Sequence, residues 1–177
     1  MSASDLVRLL LAAALACESA GVRADPVASE PDLKAAIVFN LAIFTEWPAR
    51  AFSAGQPLTL CYSGERLAPA FGALAGRTVN GRALAVRRIA SQASPAGCHL
   101  AYWLDEAEMP ADAGLERQPV LAISDSKGFA ARGGMIELSV VQARITFEMN
   151  VASSRAAGLK VSSKLLRLAR KVYGNEE

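Results

Sequence analysis

The chain has 177 residues and a formal net charge of +2. This length is typical of one compact domain, and the near-neutral charge argues against a dedicated nucleic-acid binder, for which a strongly basic domain is expected. A single histidine and few cysteines, at no recognisable spacing, do not predict a metal site or another cofactor.

The N-terminus has the pattern of a secretory signal. Arg8 precedes an apolar run over residues 9–16, and small residues end at Ala24. A run this short cannot cross about 30 Å of hydrocarbon as a helix, but it fits the apolar core of an export signal. We therefore predict a signal peptide over 1–24, a mature domain over 25–177 and export from the cytoplasm.

The use of cysteine follows from this cleavage. Cys17 faintly resembles a lipoprotein acceptor, but the large residue usual three positions earlier is missing, so we do not expect a lipid anchor. Cys17 leaves with the signal, and Cys61 and Cys98 remain. Because the compartment outside the cytoplasm is oxidising, this pair is predicted to form one disulfide.

The first predicted helix spans 31–48, with Asp32 in its first turn and Pro48 at its end. Leu33, Ile37, Leu41 and Phe44 form one apolar stripe, yet apolar residues cover much of the other side too. Such a helix is expected to be buried nearly all round. Either a self-association face or neighbouring loops would cover the excess.

Strands and helices alternate in the rest of the chain, and no repeat or linker divides it. The glycine pair Gly133-Gly134 before a strand suggests a tight turn with positive φ. The fold class is predicted as α/β, a single domain with a mixed β-sheet flanked by helices and ending in a hairpin and a helix. The predicted segments are a strand at 57–64, a helix at 65–74, a turn at Asn80-Gly81 leading into a strand, strands at 98–104 and 119–125, a hairpin at 135–150 turning at 142–144, a short helix from 151 capped by Asn150, and a last helix at 163–173 capped by Ser162.

The last predicted helix carries a basic row opposite its leucines. Its apolar arc is about 140° wide, which is typical of a helix packed on a sheet rather than one lying on a membrane. Lys164, Arg167 and Lys171 are therefore the side chains free to recognise a partner. A charge row of this kind is also common on a purely solvated face.

No catalytic constellation is evident. Ser124, Asp125 and Ser126 follow a buried strand, where α/β folds often keep their chemistry. A serine nucleophile needs a base, however, and His99 lies at the start of another strand, with no nucleophile-elbow motif in the chain. We predict a protein that is not an enzyme.

Several segments together resemble the YfiR family of exported regulators. They are LKAAIVFNLAIFTEWP, LCYSG, VNGRALAVRRI, GCHLAYWL, PVLAISD followed by RGGMIEL, and ARITFEMN with AGLKVSSKLLRLA, and they cover most of residues 33–169 in the family's order. The resemblance implies a periplasmic α/β protein, often a homodimer, that binds the periplasmic domain of an inner-membrane diguanylate cyclase and represses it. Cyclic di-GMP output and biofilm formation would fall.

The same resemblance implies that the bond between Cys61 and Cys98 makes the protein sensitive to periplasmic redox state. Members of the family also occur beside other membrane sensors, so the partner is either the cyclase or another such sensor. A periplasmic small-molecule sensor or carrier is the alternative function, with its site at the strand ends near 124–129.

Overall fold

The computed structural model describes residues 28–142 and 144–174. The predicted signal peptide, its cleavage site and Cys17 lie outside these residues, so the boundary at Ala24 stays a prediction. The helices are α1 (Glu30–Ile43), α2 (Ala68–Gly72), α3 (Val151–Ala156) and α4 (Ser163–Leu168). The strands are β1 (Thr45–Glu46), β2 (Leu58–Tyr62), β3 (Thr78–Val79), β4 (Arg82–Arg88), β5 (Leu100–Trp103), β6 (Leu121–Ser124), β7 (Ile136–Val141), β8 (Arg144–Asn150), β9 (Lys160–Val161) and β10 (Lys171–Tyr173).

Eight strands form one sheet in the order β10-β8-β7-β6-β5-β2-β4-β3, and β1 pairs separately with β9. Five neighbouring strands of this sheet are parallel to one another: β4, β2, β5, β6 and β7. In contrast, β3 runs antiparallel to β4, and β8 runs antiparallel to β7. The predicted mixed α/β sheet with a late hairpin is confirmed. Numbered along the chain, the five parallel strands lie in the order 2-1-3-4-5, an arrangement whose switch point between β2 and β5 commonly holds a functional crevice.

The middle of the sheet is the core of the domain. Every residue of β5 and of β6 is buried. Parallel strands covered on both faces need such continuous apolar runs, so the prediction of a buried parallel strand within 119–125 is confirmed. The strands end at their carboxyl side in polar residues, among them Ser63 and Asp125.

Helix α1 begins with a capping box in which Ser29 and Asp32 satisfy each other's backbone N–H groups. The helix ends at Ile43, earlier than predicted, because the next residues leave it to pair as β1 with β9. The Ser162 N–H group donates to the carbonyl of Phe44 (3.0 Å) and holds this crossing in place. Pro48 therefore follows a strand rather than the helix.

The buried stripe of α1 also differs from the predicted one. Leu33 and Ile37 are only half-buried, whereas Val38 and Leu41 are fully buried. Neighbouring side chains cover part of the apolar excess: the Arg77 guanidinium lies 3.8 Å from the centroid of the Phe39 ring. The self-association face stays a prediction.

The last predicted helix, 163–173, is wrong in its second half. Ser162 caps α4 as predicted, but the helix ends at Leu168 because the backbone becomes extended at Ala169 (φ −67°, ψ 136°). The Arg170 N–H group then donates to the carbonyl of Phe147 (2.8 Å), and β10 joins the sheet parallel to β8. An edge-strand position satisfies backbone groups that a longer helix would have satisfied internally.

The loop before β7 shows two different uses of glycine. Gly133 has φ +99°, as predicted for a tight turn, but Gly134 does not have positive φ. A Cβ atom on Gly134 would lie 2.4 Å from the ring of Phe129, so this glycine is required by close packing.

Candidate functional site

Cys61 and Cys98 form the predicted disulfide. Cys61 lies on β2 and Cys98 directly precedes β5, and these strands are neighbours, which brings the two Cα atoms to 5.8 Å. Both residues are buried, with 0% of Cys61 and 5% of Cys98 exposed. The bond closes a loop of 37 residues that carries β4 and the loop after it.

An arginine lies over this disulfide. Arg87 on β4 is in register with Cys61, and its Nη2 atom is 3.4 Å from Cys61 Sγ and 3.3 Å from Cys98 Sγ. The same atom also donates to the carbonyl of Ala96 (3.1 Å), which fixes the guanidinium in position. No carboxylate pairs with Arg87 among the ion pairs of residues 28–142 and 144–174.

A polar cleft of about 450 Å³ lies at the carboxyl ends of the parallel strands. We call it the carboxyl-end cleft. It lies beside the predicted 124–129 segment, from which Asp125 and Lys127 line it. Its other lining residues include Glu30, Lys34, Arg66, Glu137 and Arg170.

Lys34 is the most buried cation of the cleft. Its ammonium is 2.6 Å from Asp125 Oδ2 and also binds Glu30, and its side chain is 6% exposed. Burial disfavours the charged ammonium, but the hydrogen bonds to Asp125 and Glu30 outweigh it and raise the pKa of Lys34. The hydroxyl of Tyr102 donates to the other oxygen of Asp125, and burial, with the charge of Asp125, raises the pKa of Tyr102. The group is a closed ion network that joins α1 to the ends of β5 and β6.

Glu137 contrasts with this network. It is 3% exposed, and its Oε2 atom has no hydrogen-bond partner in the described part of the chain. A buried carboxylate oxygen without a donor is costly, so such atoms usually mark bound water or a ligand position.

The three predicted partner-binding cations are all exposed. Lys164 and Arg167 lie on α4, whereas Lys171 begins β10, so the three do not form one helix face as predicted. Leu168 ends the same helix as Lys164 and Arg167 and is 68% exposed, more than any other large apolar side chain of the described residues. We call Lys164, Arg167, Leu168 and Lys171 the C-terminal surface.

Glu148 anchors this surface to the sheet. Its carboxylate accepts from the Tyr173 hydroxyl (2.7 Å) and from Arg170. The hydrogen bond from Tyr173 and the charge of Arg170 lower the pKa of Glu148 against the opposing effect of burial. The C-terminal segment is therefore held by a charged pair rather than by core packing alone.

The serine and the histidine weighed for catalysis do not meet. Ser124 ends β6 beside Trp103, while His99 lies four residues earlier along the neighbouring strand, about 13 Å away at 3.3 Å per residue. Both nitrogens of His99 are occupied, since Nδ1 accepts from the Thr59 N–H group (3.0 Å) and Nε2 faces the carbonyl of Ala51 (3.0 Å). Burial lowers the pKa of His99, so the ring is a neutral structural group.

The sequence pattern of the YfiR/HmsC-like family matches residues 31–170, which run from the second residue of α1 to just beyond α4. The chain belongs to this family. No curated protein matches the chain. The YfiR/HmsC-like family consists of periplasmic regulators of diguanylate cyclase signalling, and it is regulatory rather than catalytic. Within the described residues, no helix has the length and apolarity needed to cross a bilayer.

Two residues of these sites, Lys34 and Arg87, were not predicted from the sequence. Lys34 shares its helix face with Val38 and Leu41, at i, i+4 and i+7, and a lysine in a buried stripe is itself a signal that a carboxylate lies opposite. Arg87 gave no local signal, because only the register between β4 and β2 brings it to the cysteines.

Proposed function

We propose that this protein binds the periplasmic domain of an inner-membrane diguanylate cyclase and holds the enzyme inactive. The observation that carries the proposal is the match to the YfiR/HmsC-like family over 31–170. Repression by binding requires a recognition surface but no reaction centre. It lowers cyclic di-GMP output, and with it biofilm formation.

The C-terminal surface is the proposed contact with the cyclase. A leucine left 68% exposed beside three cations has the composition of an interface, with an apolar anchor inside a charged rim. Because no ion pair of the described residues occupies Lys164, Arg167 or Lys171, all three can meet acidic groups of the partner. Such rim charges act mainly on the association rate and on specificity.

Reversal of these charges tests the contact. Each of Lys164→Glu, Arg167→Glu and Lys171→Glu is expected to weaken binding about tenfold, because like charges then face each other. The measurement is calorimetry with the purified periplasmic domain of the membrane diguanylate cyclase that this chain is proposed to repress, at low and at high salt. Arg155→Glu, an exposed arginine of α3, is the matched control and should bind as the natural chain does. Equal affinity in all four variants contradicts this surface while leaving binding itself intact.

The protein is proposed to act as a homodimer, and the β7–β8 hairpin is the part that supports this. Beyond Glu137, β7 pairs only with β8, because its pairing with β6 stops there. Val140 and Val141 on this stretch are 50% and 38% exposed. An unpaired strand edge with exposed apolar side chains is a common site of self-association.

A periplasmic small-molecule sensor or carrier is the second candidate function. The carboxyl-end cleft favours it, because the cleft has room for a small ligand and the orphan oxygen of Glu137 lacks a donor. Calorimetry against nucleotides and aromatic amino acids separates the candidates. Saturable binding that is lost in Glu137→Gln supports the sensor, whereas a repressor alone needs no such ligand.

A further inference from the structure

We infer that the Cys61–Cys98 disulfide is a thiol-exchange site with a built-in direction. Cys98 is the sulfur attacked by an incoming dithiol, and Arg87 stabilises the thiolate that leaves from Cys61. This deepens the redox sensitivity that the family resemblance implies, and only its biological consequence rests on the proposed function. The exchange reaction itself needs only this protein and a dithiol, without the cyclase.

The environments of the two sulfurs set the direction. Cys61 is 0% exposed in the middle of β2. Cys98 retains 5% exposure and lines an open cleft of about 180 Å³ together with Gly97, Gln118 and Pro119. Exchange requires the attacking sulfur to reach its target along the disulfide axis, so access decides which sulfur is attacked. The cleft beside Cys98 supplies that access, whereas Cys61 has no exposed surface.

The reaction balances with a dithiol protein or dithiothreitol as the reductant. The reductant's thiolate attacks Cys98 Sγ, a mixed disulfide forms, and the electron pair of the broken bond leaves with Cys61 Sγ. The second thiol of the reductant then attacks the mixed disulfide and releases Cys98 as a thiolate. Two electrons pass to the protein, and the reductant becomes a disulfide. The two cysteine thiolates then exchange protons with the solvent according to the pH.

Arg87 favours this reaction at the step where charge develops. Its Nη2 atom lies 3.3–3.4 Å from both sulfurs before any reduction occurs, so stabilisation of the new anion needs no rearrangement. A guanidinium beside a sulfur stabilises its thiolate over its thiol. The disulfide should therefore be easier to reduce than one without such a cation, because a stabilised reduced form raises the reduction potential.

The adjacent arginine provides a matched control. Arg88 is also exposed on β4, but its side chain points to the opposite face of the strand and pairs with Glu65. Arg87→Gln and Arg88→Gln remove the same charge one residue apart. Arg87→Lys keeps the charge while losing the planar group.

A redox titration against dithiothreitol tests the role of Arg87. Arg87→Gln should lower the equilibrium constant for reduction about tenfold, which corresponds to ~30 mV for a two-electron couple. Arg87→Lys should lie between this variant and the natural chain, and Arg88→Gln should match the natural chain. Equal constants for Arg87→Gln and Arg88→Gln overturn the assignment to Arg87.

Trapping of the mixed disulfide tests the direction. After brief exposure of the oxidised protein to glutathione and an acid quench, mass spectrometry should find the glutathione adduct mainly on Cys98, because access decides which sulfur is attacked. An adduct mainly on Cys61 overturns the order of attack. Neither experiment uses the cyclase, so failure here leaves the proposed repression standing, and loss of cyclase binding leaves the exchange chemistry standing.

Discussion

A Cys61→Ala, Cys98→Ala variant is expected to lose about 4 kcal/mol of unfolding free energy, because the natural bond removes the closure entropy of a long loop from the unfolded chain. The loop spans 37 residues and carries β4 and the route into β5, so its release affects the centre of the sheet. Denaturant unfolding of the oxidised natural chain and of the variant measures the difference.

The reduced natural chain is the control for this experiment. Its free energy of unfolding should be close to that of the variant, because neither protein has the cross-link. The two differ only in that the variant lacks two buried sulfur atoms. A loss below about 1 kcal/mol in both would mean that the unfolded chain is already compact around this loop. In cells, unchanged repression by the variant at normal protein levels would contradict the redox sensitivity that the family resemblance implies.

Replacement of Lys34 by methionine is expected to cost about 3 kcal/mol, since removing one partner leaves a poorly solvated carboxylate behind. Asp125 has only 17% of its side chain exposed and would keep a single donor, Tyr102. The exposed Lys127→Met change at the same cleft should stay within about 0.5 kcal/mol, as expected for a surface position.

A double-mutant cycle separates the ion pair from general damage to α1. Lys34→Met combined with Asp125→Asn should cost clearly less than the sum of the single changes, because the second change removes the carboxylate left unpaired by the first. Strict additivity in denaturant unfolding would show that the two side chains are not coupled.

Much of the fold could be predicted because local patterns and the final packing agree. The apolar run ending at Ser124 is a buried parallel strand, the Asn80-Gly81 turn has both φ angles positive (48° and 80°), and Asn150 caps α3. Each of these depends on short-range chemistry that the sheet does not override. The hairpin at 135–150 follows the same logic.

The errors occur where distant backbone competes with the helix. Thr45 and Glu46 leave α1 for pairing with β9, and residues 171–173 leave the predicted last helix for pairing with β8. Helical periodicity cannot report a strand partner, either for Thr45, which pairs with Val161, or for Lys171, which pairs with Glu148. Short segments such as these are therefore assigned by tertiary contacts rather than by propensity.

Some features of the candidate site could be predicted from the sequence, and others could not. The disulfide followed from cysteine number and compartment, and the exposed cations followed from charge pattern. Arg87 over the sulfurs and the orphan oxygen of Glu137 depend on strand register and burial, which no local pattern encodes. Residues that act through cross-strand neighbours become visible only once the sheet is built.

Cellular cyclic di-GMP in a strain that lacks this chain tests the central claim most directly. Loss of a repressor predicts a several-fold rise that disappears when the diguanylate cyclase proposed as its partner is also deleted. The full chain should restore the low level, whereas a version that starts at Asp25 and stays in the cytosol should not. An unchanged level in the deletion strain, or rescue by the cytosolic version, would contradict repression from the periplasm.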